Sequence, residues 1–488
     1  MVKSMGKGSK SITKGLFWKL LERFGVQGVQ FVLQIILARL LNPDAFGALS
    51  IMIIFTTLAN VFIQNGFSTA LVQNKDVTEE DYSSVFWVTL FISILLYIGL
   101  FFAIPLIANY YNMPLTITPF RVLAFMIIPG ALNSIQLAKV YREMNFKKVF
   151  ISNIGAILVA GLISILLALN GFGVWSLVWQ NIIKVLMSTI IMLFTIKWIP
   201  KFTINFKRVK ELFSYGWKLL ASGLIDTLYQ DMRSLVIGKK YSNDTLGYHD
   251  KGKQFPQFLI TSINGAVQSV MLPAMSALQT KKEQVKELTR RSIKICSYLI
   301  FPMMMGLAVV ANPLVRILLT EKWLPCVIYL QIYCFTFAFY PIHTCNLQAI
   351  NAMGRSDIFL TLEIIKKVLG VATLCIAVFC FNSPIAIAAT GIITAITSSI
   401  INAWPNKKLL GYSYFEQLKD IIPSALLSLI MGATVFLLGL IKMNVYLLFA
   451  LQILLGVTVY VALSYITNNE NFVFLINYAK SIIARIGK

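Results

Sequence analysis

Long apolar stretches separated by short polar segments recur along the whole chain. As a helix of about 20 residues, each stretch can cross roughly 30 Å of hydrocarbon. Strands of a membrane barrel would be shorter and would alternate apolar with polar positions, which these stretches do not. The pattern therefore predicts an all-α membrane protein with fourteen spans, at 16–41, 46–69, 84–108, 117–139, 149–170, 174–197, 212–238, 252–275, 293–318, 324–350, 358–380, 384–404, 420–441 and 445–467.

Polar side chains interrupt the first span at Arg23, Gln27, Gln30 and Gln34. Spacings of four, three and four residues place them on one face of a helix. Lipid cannot satisfy amide groups, so this face must look onto protein or water. Two interpretations stay open: the amides line a cavity, or they join neighbouring helices by hydrogen bonds. Arg23 lies close enough to the cytosolic end to reach the headgroup region instead.

A second copy of this helix follows the sixth span. The tetrapeptide WKLL begins at both Trp18 and Trp217, and each copy is followed by a glycine, Gly47 or Gly247. In the same register, the polar face of the first copy aligns with that of the second, formed by Ser222, Asp226, Tyr229 and Arg233. The next span of each copy is polar on one face as well, and in the second copy that face carries Gln257, Asn264 and Gln268.

This repeat predicts the organisation of the chain. We expect two parallel six-helix lobes, 1–200 and 206–405, related by a pseudo-twofold axis along the membrane normal. Two further helices follow at 420–467. The polar faces of the first and seventh spans are expected to line one central cavity.

Composition and charge fit a membrane protein. Hydrophobic residues make up 57% of the chain and charged residues 13%, whereas a soluble domain is about a quarter charged. Roughly 28 Lys and Arg residues lie in segments on one side of the predicted membrane and roughly 7 on the other, which places both termini in the cytosol. The net charge of +23 reflects this topology and attraction to anionic lipid, so we expect no nucleic-acid partner.

Cations on the outer side need a separate explanation. Arg39 ends the first span, and four lysines follow the seventh: Lys239, Lys240, Lys251 and Lys253. A cationic lining would suit an anionic, phosphorylated substrate. Alternatively, residues 239–253 form an ordinary solvated loop that Asp244 and Asp250 partly neutralise.

Two polar segments have structural interpretations. Thr78, with acidic residues in the following turn, is expected to cap the third span. The amphipathic segment 279–294 is expected to lie along the cytosolic membrane surface. The six cysteines lie in or beside spans without a Cys-x-x-Cys pair, which indicates packing residues and predicts neither disulfides nor a metal site.

Three segments resemble a known family: LNPDAFGALSIMIIF, NGFSTALVQNKDVTEEDYSSVFWVTL and QSVMLPAMSALQ. They are similar to polysaccharide flippases of the multidrug/oligosaccharidyl-lipid/polysaccharide exporter superfamily, in the branch of colanic-acid and lipopolysaccharide exporters. The resemblance covers essentially the whole chain, and 42–90 is its most specific part. It implies two lobes around a cationic cavity in the bacterial inner membrane, and a substrate in which an oligosaccharide is carried on undecaprenyl pyrophosphate.

The resulting hypothesis is a flippase that works by alternating access, with the polysaccharide polymerase machinery as a further candidate partner. A cation-coupled multidrug or metabolite exporter of the same superfamily is the alternative. The sequence predicts no cofactor and no enzymatic activity, since a transferase would need acidic residues that hold a metal–nucleotide. The candidate substrate-binding residues are Arg23, Gln27, Gln30, Gln34, Arg39, Asp226, Tyr229, Arg233, Lys239, Lys240, Gln257 and Asn264.

Overall fold

The computed structural model describes residues 18, 21, 25–74 and 76–486. The chain forms two compact units, which divide between Gly247 and Tyr248. The lobe boundaries expected from the repeat differ from this division and stay a prediction.

The N-terminal unit contains helices that correspond to the first seven predicted spans. They are α1 (Gln27–Leu40), α2 (Pro43–Ile63), α3 (Thr69–Gln73), α4 (Glu79–Tyr110), α5 (Ile117–Ala124), α6 (Ile127–Arg142), α7 (Phe146–Leu169), α8 (Val174–Ile196) and α9 (Phe206–Lys240). A π-helical turn, Gln64–Ser68, connects α2 to α3.

Helix α10 (Asn243–Ser276) begins in the first unit and continues into the second. The remaining helices are α11 (Lys282–Val309), α12 (Ala311–Leu318), α13 (Cys326–Ala338), α14 (Tyr340–Ala352), α15 (Ser356–Cys380), α16 (Pro384–Leu410), α17 (Tyr414–Gly439), α18 (Val445–Ile466) and α19 (Glu470–Ile486).

The predicted fold class is confirmed. Within the described ranges the regular structure is helical, and 11 helical segments are long and apolar enough to cross a membrane, two of them the broken helices Pro114–Arg142 and Cys326–Ala352. Gln27–Leu40 is a shorter apolar helix. Each of the fourteen predicted spans overlaps one helix or one broken pair of helices. Helix α19 lies in a segment for which the sequence analysis predicted no element.

Prolines account for two breaks within predicted spans. The span at 117–139 is interrupted between α5 and α6, four residues before Pro129, and the span at 324–350 is interrupted just before Pro341. A proline lacks the N–H that would bond to the carbonyl four residues earlier, and its ring clashes with that carbonyl.

The largest errors in the predicted helix starts fall on α10 and α11. Helix α10 begins at Asn243 rather than at 252, because Ser242 Oγ accepts the N–H of Thr245 at 3.3 Å and Asp244 lies in the first turn, where both favour a helix start. Residues 243–252 are therefore helical and do not form an outer loop. Similarly, the segment expected to lie along the membrane surface from 279 is largely the first half of α11, whose inner face buries Val285.

Helices α2 and α10 approach each other at two equivalent glycines. A Cβ on Gly47 would lie 1.9 Å from the carbonyl oxygen of Asn243, and a Cβ on Gly247 would lie 2.2 Å from that of Pro43. The contact is reciprocal, as expected for two copies related by a twofold axis. Small residues at both positions allow the backbones to come this close.

A carboxylate at the start of α4 binds an arginine at the start of α9. As predicted, Thr78 forms a capping box with Asp81. The same Asp81 carboxylate, 3% exposed, accepts hydrogen bonds from Arg208 Nε at 3.1 Å and Arg208 Nη2 at 3.2 Å. One carboxylate thus satisfies both a helix N-terminus and a two-pronged guanidinium contact, and the bonds to Asp81 raise the pKa of Arg208.

We predict that Asp81→Asn lowers the stability of the fold by about 1–3 kcal/mol, because an amide cannot accept both guanidinium bonds and the cap. Thermal unfolding of the detergent-solubilised protein measures this. Asp357→Asn is the matched control: Asp357 also lies in a first helical turn and makes a two-pronged bond to Arg355, but the pair is exposed, so the unfolding temperature should not change. Equal losses in both variants would contradict the role given to Asp81.

We predict that Gly47→Ala and Gly247→Ala each destabilise the protein by about 1–3 kcal/mol, because the added methyl group overlaps a backbone carbonyl. The yield of monodisperse protein after heating measures the effect. Gly99→Ala in α4 is the control, since a Cβ there meets nothing within 4 Å, and it should be neutral or stabilising. A Gly47→Ala protein as stable as Gly99→Ala would show that the two helices can separate without cost.

Candidate functional site

The polar face of α1 meets polar residues of α8 inside the N-terminal unit. Gln30 Oε1 accepts a hydrogen bond from Lys184 Nζ at 3.1 Å. One turn further along α1, Gln34 Nε2 donates to Gln180 Oε1 at 3.4 Å. Gln30 and Gln34 are four residues apart, as are Gln180 and Lys184, so each pair lies on one helix face. The two contacts therefore lie next to each other between antiparallel helices. We call these four side chains the α1–α8 amide–lysine cluster.

The packing of α1 explains why its amides reach α8. Leu33, on another face of α1, lies against Gly161 of α7, where a Cβ would come within 2.6 Å of the leucine methyl groups. Helix α1 therefore packs its apolar side on α7, while its long polar side chains extend to α8. Gln34 thus joins two helices by a hydrogen bond, as one interpretation of this face predicts, and Gln30 accepts a bond from a cation. The cavity-lining interpretation stays a prediction.

Sequence reasoning missed the α8 half of this cluster. Lys184 lies near the middle of Val174–Ile196, a helix apolar enough to cross a membrane. A single lysine in a long apolar segment is the signal that could have identified it, because ionisable residues within spans are rare and usually functional. Gln180 lies one turn before it on the same face.

The remaining candidates near α1 differ in their exposure. Gln27 is half-buried, one turn before Gln30, and Arg39 is exposed in the last turn of α1. Arg23 lies outside the described residues.

The candidates on α9 extend along its second half. Asp226 is exposed and accepts a hydrogen bond from Gln230 Nε2 at 3.5 Å, whereas Tyr229 and Arg233 are half-buried. Lys239 donates to the carbonyl oxygen of Tyr110 at 2.6 Å, and its Nζ lies 4.0 Å from the centre of that ring.

Lys239 therefore stabilises the C-terminal end of α4, where a cation is favourable. The neighbouring Lys240 is exposed.

The two candidates on α10 belong to the C-terminal unit and have different surroundings. Asn264 is half-buried and its Oδ1 accepts a hydrogen bond from the hydroxyl of Thr344 on α14. Gln257 is exposed.

A second polar cluster, also missed from the sequence, lies near the start of α10 within the C-terminal unit. His249 is fully buried; its Nδ1 lies 2.7 Å from Asp250 Oδ1 and its Nε2 lies 2.7 Å from the hydroxyl of Tyr333. Lys251 is 4% exposed, bonds to Gln254 Oε1 at 3.0 Å, and lies near the ring of Trp323.

For Lys251, the interpretation as a solvated loop residue is wrong, because the first turns of α10 pack against α13 and bury it. The segment resembles a loop in sequence because it is polar, and the residues that bury it, such as Tyr333 and Trp323, lie far away in the chain.

Comparison with known proteins identifies the family of this chain. Residues 36–328 match the family described as polysaccharide biosynthesis protein, which is more than half of the chain. The chain belongs to this family. The resemblance to polysaccharide exporters noted in the sequence is thereby confirmed.

Individual members of the polysaccharide biosynthesis protein family are distant relatives. The chain is 26% identical over 316 residues to the succinoglycan biosynthesis transport protein ExoT of Rhizobium meliloti, covering 64% of this chain and 64% of that protein. It is 20% identical over 370 residues to the lipopolysaccharide biosynthesis protein WzxC of Escherichia coli, covering 74% of each chain.

Solved structures show the same fold. The lipid II flippase MurJ in an inward closed conformation matches 93% of this chain and 98% of its own, with a TM-score of 0.76 and 19% identity. An inward-facing multidrug resistance transporter of the MATE family, in the MOP superfamily, matches 80% of this chain and 98% of its own, with a TM-score of 0.60 and 16% identity.

We predict that Tyr333→Phe lowers stability by about 1–3 kcal/mol, because it removes the hydroxyl bonded to the buried His249 ring. Thermal unfolding in detergent measures the change. Tyr465→Phe, which removes an exposed hydroxyl, is the matched control and should be neutral. If both variants unfold at the wild-type temperature, the hydroxyl does not support the cluster.

Proposed function

We propose that this protein flips a lipid-linked oligosaccharide across the membrane during polysaccharide biosynthesis. Membership of the polysaccharide biosynthesis protein family over residues 36–328 carries this proposal. The likeness of fold to a lipid II flippase over 93% of the chain supports it. The protein is a transporter in this account, and it does not make or break glycosidic bonds.

The substrate is an oligosaccharide carried on undecaprenyl pyrophosphate, in the inner membrane of a bacterium. The excess of Lys and Arg in alternate connecting segments supports cytosolic termini, and hence transport from the cytosolic to the outer leaflet. Polymerase machinery that acts on the outer leaflet is the partner that would consume the product.

The chemical groups of the substrate indicate which types of residue would bind them. Guanidinium and ammonium groups neutralise phosphate, and arginine does so through two parallel bonds. Amides and hydroxyls bind sugar hydroxyls, whereas the long prenyl chain stays in lipid. Alternating access moves the polar part across the membrane without exposing it to hydrocarbon.

A cation-coupled multidrug exporter is the second candidate, supported by the fold of the MATE-family transporter. The candidate binding residues do not favour it, because they include several Arg and Lys residues and a single carboxylate, Asp226, whereas organic cations call for acidic binding residues.

Reconstitution separates the two candidates. Proteoliposomes that contain the purified chain are loaded with lipid-linked oligosaccharide, and an enzyme added outside modifies only outward-facing glycan. We expect protein-dependent modification of the inner pool. No transfer of the glycan lipid, together with uptake of an organic cation such as ethidium, would contradict the proposal and support the alternative.

We predict that Arg233→Ala abolishes transfer in this assay and that Arg233→Lys restores it only partly, because an ammonium lacks the paired donors. Loss of a charge-assisted contact is expected to weaken binding by about ten- to a hundredfold. Arg316→Ala is the control, since Arg316 is exposed and pairs with Glu321. Normal transfer by Arg233→Ala would remove this residue from the binding site.

A further inference from the structure

Lys184 is a cation whose hydrogen-bond partner is a neutral group. It lies in the middle of an apolar helix, and its hydrogen-bond acceptor is a neutral amide oxygen, that of Gln30 at 3.1 Å. Among the described residues, Lys184 forms no ion pair with a carboxylate. Two other half-buried lysines do form one: Lys139 pairs with Glu79, and Lys366 pairs with Glu363.

An ammonium ion in a membrane interior is costly unless an anion or several acceptors compensate it. The group has three donors, and Gln30 uses one of them. The remaining donors are available to a ligand. A lysine that served only to join α1 to α8 would be replaceable by glutamine, which makes such contacts without a charge.

Gln180 adds a second donor at the same place. It lies one turn before Lys184 on α8 and is 4% exposed. Its carbonyl oxygen accepts the bond from Gln34, while its own amide N–H groups have no partner among the described residues. An amine and an amide N–H, one turn apart on one helix face, can together contact one oxyanion.

We propose that Lys184 and Gln180 form an oxyanion-binding subsite within the N-terminal unit, with Gln30 and Gln34 as positioning residues. The inference rests on the proposed function. The oxyanion belongs to the substrate and is either the pyrophosphate of the lipid carrier or a carboxylate of an acidic sugar. Lysine suits both, because it acts as a point charge and demands no fixed geometry.

Binding measurements on the full chain in nanodiscs test the subsite. Two probes distinguish the sources of the anion: undecaprenyl pyrophosphate, which has no sugar, and a lipid-free oligosaccharide that contains glucuronate. For the probe that carries the recognised anion, Lys184→Met should weaken binding about ten- to a hundredfold, and Lys184→Arg should retain most of it. Lys197→Met is the control, since it removes an exposed cation at the end of the same helix.

Gln30→Glu separates a binding role from a structural one. A carboxylate at this position would pair with the ammonium at the distance now held by the amide. If Lys184 is only structural, the new ion pair stabilises the protein and leaves probe binding unchanged. If Lys184 binds the oxyanion, the carboxylate competes with it, so binding weakens about as much as in Lys184→Met although the protein still folds.

The outcomes decide between the inference and the function on which it rests. If the wild type binds a probe, and Lys184→Met and Gln30→Glu both bind it equally well, the subsite is overturned. The proposed function is then left intact. If the wild type binds neither probe and also transfers no lipid-linked oligosaccharide in proteoliposomes, the subsite and the proposed function are both overturned. Weakened binding in both variants, with Lys197→Met unchanged, supports the subsite.

Discussion

The absence of water inside a membrane is the constraint on which this structure depends. Every polar group that the helices carry into the hydrocarbon region needs a partner in the protein, in enclosed water or in a bound ligand. Gln34 forms a hydrogen bond to Gln180, and Lys184 forms one to Gln30. The N-terminal unit therefore holds a polar interior whose groups are arranged around a charge, rather than the purely apolar packing that would suffice to join helices.

Helix starts are secured in two different ways. At the start of α4, Asp81 both completes a capping box and binds Arg208 of α9. At the starts of α2 and α10, glycines replace side-chain contacts by direct backbone approach. The first device satisfies polar groups, whereas the second removes the side chains that would keep two helices apart.

Much of the fold could be predicted from the sequence because membrane thickness dictates the length of an apolar helix. Helix periodicity likewise predicted that Gln30 and Gln34 share a face. Periodicity does not identify the helix that lies opposite, however, and for that reason Lys184 was missed. The start of α10 was misplaced because its polar residues resemble a loop, although the fold buries His249 and Lys251 against α13.

The chemistry of the interior connects the fold to its cargo. Gln30, Gln34 and Gln180 suit hydroxyl-rich ligands, and Lys184 suits an anion. A sugar attached to a phosphorylated lipid combines both features, whereas a simple organic cation has neither. Membership of the polysaccharide biosynthesis protein family points to the same class of cargo.

The central claim is the identity of that cargo, and deletion of the gene in its native host tests it most directly. Mass spectrometry of the lipid extract should show a lipid-linked oligosaccharide that accumulates on the cytosolic side and disappears when the wild-type gene is restored. A lipid-linked oligosaccharide pool unchanged by the deletion, with polysaccharide still exported at the normal rate, would contradict the account.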